Sequence, residues 1–300
     1  MTSLFPGLSD AAQKTTQLSV KSPLRYPGGK TRAIKTLAAL VPDDVIDNTD
    51  AHILSPFVGG GSFELWLTAQ GKTVRGFDAF AQLAVFWNQC QHRPQELSAA
   101  LSALQKPGLG SETFKSFQAD LRAYEASPDD SALTELEVAT RFFAVNRSSF
   151  SGSTLSGGFS SQAAEKRFTA SSVEKVAQWH NPRFIISHGD AFDILDDSAL
   201  IAGTDFVFLD PPYALGGAKD KLYGDNGSTH SGFDHPLLKQ KLDALDAQGI
   251  RFLLTYNDSE DIRSLYADYH LLSTSWAYGM NASKKSSELI IANYPLPVDR

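Results

Sequence analysis

Apolar residues along this chain follow two periods: short continuous runs of the kind buried in parallel sheets at both ends, and a long stretch of helical spacing between them. HILSPFVG reads as a buried strand running into a glycine loop, SFELWLTAQG as a helix ended by Gly71, and TVRGFD as a short strand ending in an acid. Ahead of them, Ile34, Leu37, Ala38 and Val41 fall on one face and predict a helix through TRAIKTLAALV, stopped by Pro42. Residues 80–147 read as helix throughout, in the pieces AQLAVFWNQ, PQELSAALSALQ, ETFKSFQADLRAYEA and ALTELEVATRFFAVN, separated by Pro, Gly and Asp. Residues 148–170, rich in Ser, Gly and Thr, predict a long loop or hairpin. Strand and helix then alternate again. RFIISHGD, DFVFLD and RFLLTYND are apolar runs ending in an acid, HPLLKQKLDALDAQG is an amphipathic helix stopped by Gly249, and YHLLSTSWAY and SELIIANY are expected as an antiparallel pair. The pattern is that of an α/β protein, doubly wound and interrupted by a mainly helical insertion. A loose polar tail is expected over residues 1–20.

Composition excludes several classes. At 42% hydrophobic and 20% charged residues the chain is a folding sequence, not a disordered one. No apolar run approaches the roughly 18 residues of a membrane span, and the polar opening lacks the apolar core of a signal peptide, so a cytoplasmic protein is expected. A single cysteine, Cys90, leaves neither an intramolecular disulfide nor a CxxC zinc cluster. The histidines, His52, His92, His180, His188, His230, His235 and His270, show no HxH or HExxH spacing, and no metal is expected.

The net charge of −7 argues against a nucleic-acid partner only as an average. Residues 11–42 carry six basic side chains and no acid, and residues 141–185 carry six basic and two acidic ones. The segments 43–140 and 186–300 are each at −8. Two basic islands in an acidic chain are what a localised anion-binding face looks like if folding turns both toward one cleft, which is the expectation here.

Chemistry concentrates at strand ends. In SPFVGGGSFE the glycines Gly59, Gly60 and Gly61 stand between a strand and a helix, where backbone can approach a ligand and the helix N-terminus can face it. Asp78 ends the next strand, 17 residues beyond Gly61, in the place of a carboxylate that accepts ribose hydroxyls. The pair reads as a site for a nucleoside-containing cofactor; the spacing matches neither GxGxxG nor a phosphate-binding GxxxxGK[ST]. A second element is LDPPY. Pro211 and Pro212 remove two backbone donors and fix two φ angles, so Asp210, an exposed carbonyl and the Tyr213 ring are presented together at a sheet edge. That set suits the exocyclic amine of a planar base, two acceptors taking its N–H bonds and the ring stacking on the base.

RYPGGK (Arg25–Lys30), SPFVGGGSFE, GFD, FFAVNRSSFSG, LDPPY and SELIIANY, in that order, resemble the Dam-like class of DNA adenine-N6 methyltransferases over residues 22–294. The resemblance implies a Rossmann-like methyltransferase sheet, with a catalytic domain over 21–88 and 186–295 and a DNA target-recognition insertion over 89–185. It implies S-adenosyl-L-methionine held by Tyr26, Lys30, Pro56, Phe57, Gly59, Gly60, Gly61 and Asp78, with Asp190 at the cofactor's adenine amine and Asp210 near the methyl-donor end. Tyr26-Pro27 stands where the family often has Trp-Ala. The implied reaction is methyl transfer to adenine N6 in a specific double-stranded DNA sequence, by base flipping and direct attack, with Asp210, Pro211, Pro212 and Tyr213 catalytic. Asn146, Arg147, Ser149, Lys166 and Arg167 are candidate DNA contacts, and Lys284 and Lys285 candidate backbone contacts. Phe142, Phe143 and Phe150 are expected in the core. Double-stranded DNA is the implied partner, without membrane or metal, and a cognate restriction endonuclease is a further candidate. Cytosine-N4 methylation, a catalytically silent DNA-binding relative, and methylation of RNA or a protein glutamine are the competing readings.

Overall fold

The computed structural model describes residues 18–213, 233–277 and 285–297. After a 3-10 turn at Lys30–Arg32 come α1 (Ile34–Ala38), α2 (Asp43–Asp47), β1 (His52–Ser55), α3 (Ser62–Ala69) and β2 (Thr73–Asp78). Helices α4 (Ala81–His92), α5 (Pro94–Gln105), α6 (Ser111–Ala126), α7 (Glu135–Ser148), α8 (Ser161–Arg167) and α9 (Ala170–Ala177) follow. The chain continues through β3 (Phe184–His188), α10 (Ala191–Asp196), α11 (Ser198–Ala202), β4 (Phe206–Leu209), α12 (His235–Ala247), β5 (Phe252–Asn257), α13 (Glu260–Leu265), β6 (His270–Ala277) and β7 (Lys285–Ala292).

The strands form one seven-stranded sheet in the order β3-β2-β1-β4-β5-β7-β6. The first five run parallel; β7 is antiparallel to β5, and β6 to β7. Alternation along the central strands feeds two cores, as the pleat requires. Ile53, Phe206, Phe208, Leu253 and Ile290 point into one; Leu54, Val207, Leu209, Leu254 and Ile291 point into the other, against Leu238, Leu242 and Leu245 of α12. The helices between β2 and β3 share the first core: Phe86 and Trp87 of α4, Leu97 and Leu101 of α5, and Phe142 and Phe143 of α7 pack in the same cluster as Ile53 and Val74. No helix among the described residues is long and apolar enough to cross a membrane.

One local expectation is corrected and another extended. The segment read as one helix between Lys30 and Pro42 is a 3-10 turn followed by the five-residue α1, with no side-chain cap on either. The Ser- and Gly-rich stretch 148–170, expected as a loop or hairpin, pairs antiparallel at Ser149 and Phe159 and then becomes helical. Its second half is α8, started by the Ser160 side chain, which accepts from the Ala163 N–H.

β1 has β2 on one side and β4 on the other, so connections leave it in opposite directions. Their carboxyl ends therefore open a crevice. The glycine loop leaves β1 there, and the Asp-Pro-Pro-Tyr turn leaves β4 there.

Candidate active site

A cavity of about 660 Å³ fills this crevice. Tyr26, Lys30, Pro56, Phe57, Gly59, Gly60, Gly61, Asp78, Asp190, Asp210, Pro211, Pro212 and Tyr213 all line it. The sheet thus gathers the whole set that the sequence proposes for cofactor and chemistry around one space.

The glycine loop is fixed from both sides. Gly59 and Gly61 have φ of 50° and 65°, a left-handed geometry that favours glycine. The Gly59 N–H donates to Asp78 Oδ2 (2.8 Å), the Phe80 N–H donates to Asp78 Oδ1 (3.0 Å), and the Trp87 indole donates to the Gly59 carbonyl (3.2 Å). Burial pushes the Asp78 carboxyl up, against the pull of those two backbone donors. Each of its oxygens retains lone-pair capacity toward the cavity. Asp190 caps α10, accepting from the Phe192 N–H at 2.8 Å. Phe57 and Phe192 flank Phe233, at ring separations of 5.7 and 5.4 Å, and form an apolar wall.

At the other end, both Asp210 oxygens are within 2.5–2.6 Å of the Lys30 ammonium, and the Thr255 hydroxyl donates to Oδ1 at 2.6 Å. Lys30, expected on the cofactor, is committed to the acid; its side chain is 5% exposed against 22% for Asp210. The ammonium also lies 5.1 Å from the Tyr213 ring centroid. An ion pair this sheltered costs desolvation and is kept together by its extra hydrogen bonds. It holds a carboxylate, oriented, at the head of a rigid turn.

Glu64, on the first turn of α3, also lines the cavity and accepts from the Ser55 hydroxyl at 2.9 Å. Burial pushes its carboxyl from 4.5 up to about 7. The folded chain therefore favours the protonated form; the associated stability is fully present below about pH 4.5 and lost as pH rises to about 7. Glu64→Gln removes this titration, and at pH 8 should raise stability, by roughly 3 kcal/mol, read from urea midpoints. Glu125, pushed up to about 7 by burial, leaves a slope of the same sign in the variant.

The candidate DNA contacts divide. Asn146 and Ser149 are fully buried and do not reach a surface. The Asn146 amide accepts from the Arg25 N–H and donates to the carbonyls of Arg25 and Gly152 and to Thr154 Oγ1, while the Ser149 hydroxyl donates to the Asn146 carbonyl. Asn146 ties the loop 149–157 to the segment carrying Tyr26 and Ser149 closes the end of α7, and the expectation of DNA contact is corrected for both. Gln118 adds bonds to the carbonyls of Thr154 and Gly157. Arg147 is half buried, its guanidinium donating to the carbonyls of Arg167 and Pro23. Lys166 and Arg167 are exposed. Phe142 and Phe143 are core, but Phe150 is 70% exposed, because the chain leaves α7 there and turns through Ser151 at φ 58°. Lys284 lies outside the described residues, as do residues 1–17 and His230.

Arg25 of the first basic island lies near Arg147 and Arg167 of the second. Burial and the neighbouring guanidiniums lower Arg147 to about 10, and burial with Arg167 lowers Arg25. Among the described residues no group of acids, histidines and cysteine could hold a metal ion.

The sheet is of the α/β type, with a glycine loop and an acid-led Pro-Pro-Tyr turn lining one cavity at its switch point. The chain belongs to the D12 class N6 adenine-specific DNA methyltransferases, whose family model matches residues 26–280. It is 24% identical over 285 residues to the type II methyltransferase M1.LlaDCHI of Lactococcus lactis subsp. cremoris, covering 90% of this chain and 94% of that one. It is 22% identical over 312 residues to the modification methylase StsI of Streptococcus sanguinis, covering 96% of this chain but 45% of that protein. Solved structures of an rRNA methyltransferase from Streptomyces viridochromogenes and a SAM-dependent methyltransferase from Agrobacterium tumefaciens align over 90% and 89% of this chain, and over 87% and 62% of theirs. Their identities to this chain are 16% and 11%, with TM-scores of 0.36 and 0.38.

Proposed function

We propose that this adenine-specific DNA methyltransferase uses S-adenosyl-L-methionine and acts on an adenine turned out of double-stranded DNA. The observation that carries the reading is the Asp210 carboxylate, fixed by Lys30 and Thr255 at the head of the Pro-Pro-Tyr turn and facing a 660 Å³ cavity. The cavity fits the cofactor. Its volume suits a ligand of that size, Phe57, Phe192 and Phe233 offer rings for a purine, Asp78 suits a ribose and Asp190 an exocyclic amine. Tyr26 and the glycine loop wall the middle, leading to Asp210. When bound, the cofactor would supply an electrophilic sulfonium methyl, its S–C bond breaking as the N–C bond forms so that a neutral thioether leaves, while the surplus proton of the methylated amine passes to water.

The N6 lone pair of adenine is delocalised into the ring and a poor nucleophile. Hydrogen bonds from the amine to the Asp210 carboxylate and the Pro211 carbonyl favour a more tetrahedral nitrogen, and Tyr213 packs on the base to replace part of the lost stacking. Lys30 and Thr255 hold the acid in one orientation as that nitrogen attacks. No covalent enzyme intermediate is needed, and Cys90, buried and with its thiol pushed well up, lies outside the cavity.

DNA is held, on this reading, by the face where Arg25 lies near Arg147 and Arg167, with exposed Lys166 adjoining Arg167 in the chain. A guanidinium cluster suits phosphate. Asn146 and Gln118 fix the loop 149–157 to the cavity wall. The relatives' names, type II methyltransferase and modification methylase, support a restriction endonuclease as partner in the cell.

Two measurements check this. Duplex DNA with 2-aminopurine at the target adenine should gain fluorescence on binding if the base leaves the stack. Replacing Lys166 and Arg167 together with Ala should weaken binding to all sequences alike and flatten the slope of log affinity against log salt by about 2. An unchanged slope would remove these two residues from the interface.

A further inference from the structure

Tyr213 follows two prolines, which set its backbone but leave its side chain two soft torsions. A ring that must meet a base needs those torsions fixed beforehand. The Tyr213 hydroxyl donates to Oε2 of Glu288 at 2.7 Å. Glu288 is 1% exposed and sits inside the sheet, its backbone opposite Asn257 of β5 on one side and Thr274 of β6 on the other. On β7 it shares a face with Ile290 and Ala292, both fully buried, so an acid stands where the period asks for an apolar side chain. Burying a carboxylate is costly unless it is bonded. It lines the same cavity as Tyr213 and Asp210.

We infer that Glu288 is a positioning residue for methyl transfer: its carboxylate, carried on the rigid β7, aims the Tyr213 ring at the acceptor base. The inference rests on the proposed packing of Tyr213 against that base. Phenol to carboxylate is a charge-assisted bond, stronger than a neutral pair, so its loss is felt as misorientation and not as loss of a reacting group. The ring is also held between the Lys30 ammonium and Tyr256, whose ring centroid lies 6.0 Å away, so the bond selects among rotations these neighbours permit.

The test is a mutant cycle on the full chain, with methylation rates on duplex DNA, KM for DNA, melting temperature and 2-aminopurine fluorescence measured together. Glu288→Ala and Tyr213→Phe should each lower kcat about tenfold to a hundredfold with KM for DNA little changed, and Tyr213→Phe, which takes the phenol from the buried carboxylate, should also melt lower. The double variant should be no slower than the slower single one. Glu288→Gln, which keeps an acceptor oxygen, should recover most of the rate. Wild-type kcat in Glu288→Ala, or losses that multiply in the double variant, would overturn the inference. Should Glu288→Ala fail to fold, Tyr213→Phe decides alone, since wild-type kcat there leaves Glu288 nothing to act through. Tyr213→Ala addresses the underlying reading separately. Full activity in it removes the ring from the reaction, whereas loss in it beside a fully active Glu288→Ala removes only the role of Glu288.

Discussion

Asp210→Ala is expected to lower kcat by about a thousandfold or more while cofactor affinity changes by only a few fold. The acid makes its critical bond to the amine as the nitrogen becomes tetrahedral, so its loss falls on the transition state; removing one such group costs about 10²–10³ in other enzymes. The loss is enlarged here because Lys30 stays behind, nearly buried and stripped of the two oxygens it binds at 2.5–2.6 Å. An orphaned buried charge destabilises by about 3–5 kcal/mol, so the variant should also melt lower. Asp210→Asn keeps the shape and one acceptor but not the charge, and should be almost as slow. Single-turnover rates and calorimetric cofactor titration separate the two effects. Near-normal turnover in either variant would move the chemistry away from the turn.

Gly60→Ala should cost cofactor binding about a hundredfold, with a smaller effect on DNA affinity. Its φ is not left-handed; the constraint is space. A Cβ at Gly60 would lie 2.7 Å from Tyr26 Cβ and 3.4 Å from Tyr26 Cγ. The obstruction is the root of the tyrosine side chain, which cannot swing away without moving its backbone. That backbone leads within four residues to Lys30, so the methyl group introduced at Gly60 propagates to the ion pair at Asp210. Gly59→Ala meets the Tyr26 ring edge at 2.8 Å and adds a strained φ of 50°. It should be at least as severe. Equilibrium dialysis with S-adenosyl-L-methionine reads both, and wild-type affinity in Gly60→Ala would show that the loop is not the cofactor's cradle.

Much of the site was legible because its residues sit where local sequence declares them. The glycine loop and Pro-Pro-Tyr turn each follow an apolar run, and the carboxyl ends of parallel strands converge once the sheet is formed. What stayed hidden depends on partners far apart in the chain. Asn146 looked like a DNA contact because it precedes Arg147, yet it bonds a segment 121 residues away. Its signal was present in FFAVN, a polar amide at the end of an apolar helical face. Glu288 carried a similar mark, an acid opening the apolar run LIIA. Phe150 misled in the opposite direction: α7 ends before it, and a left-handed Ser151 turns it outward, which no periodicity anticipates. The five parallel and two antiparallel strands were readable from apolar runs, whereas α2, α10, α11 and α13, each of five or six residues, were too short for a helical period to register.

The sharpest test is the identity of the product. The protein is incubated with duplex DNA and S-adenosyl-L-methionine labelled in its methyl group, and the DNA is digested to nucleosides and separated. The account predicts label in N6-methyladenine, absent with Asp210→Ala. Label found solely in N4-methylcytosine, or transferred to no nucleoside of the duplex, would contradict it.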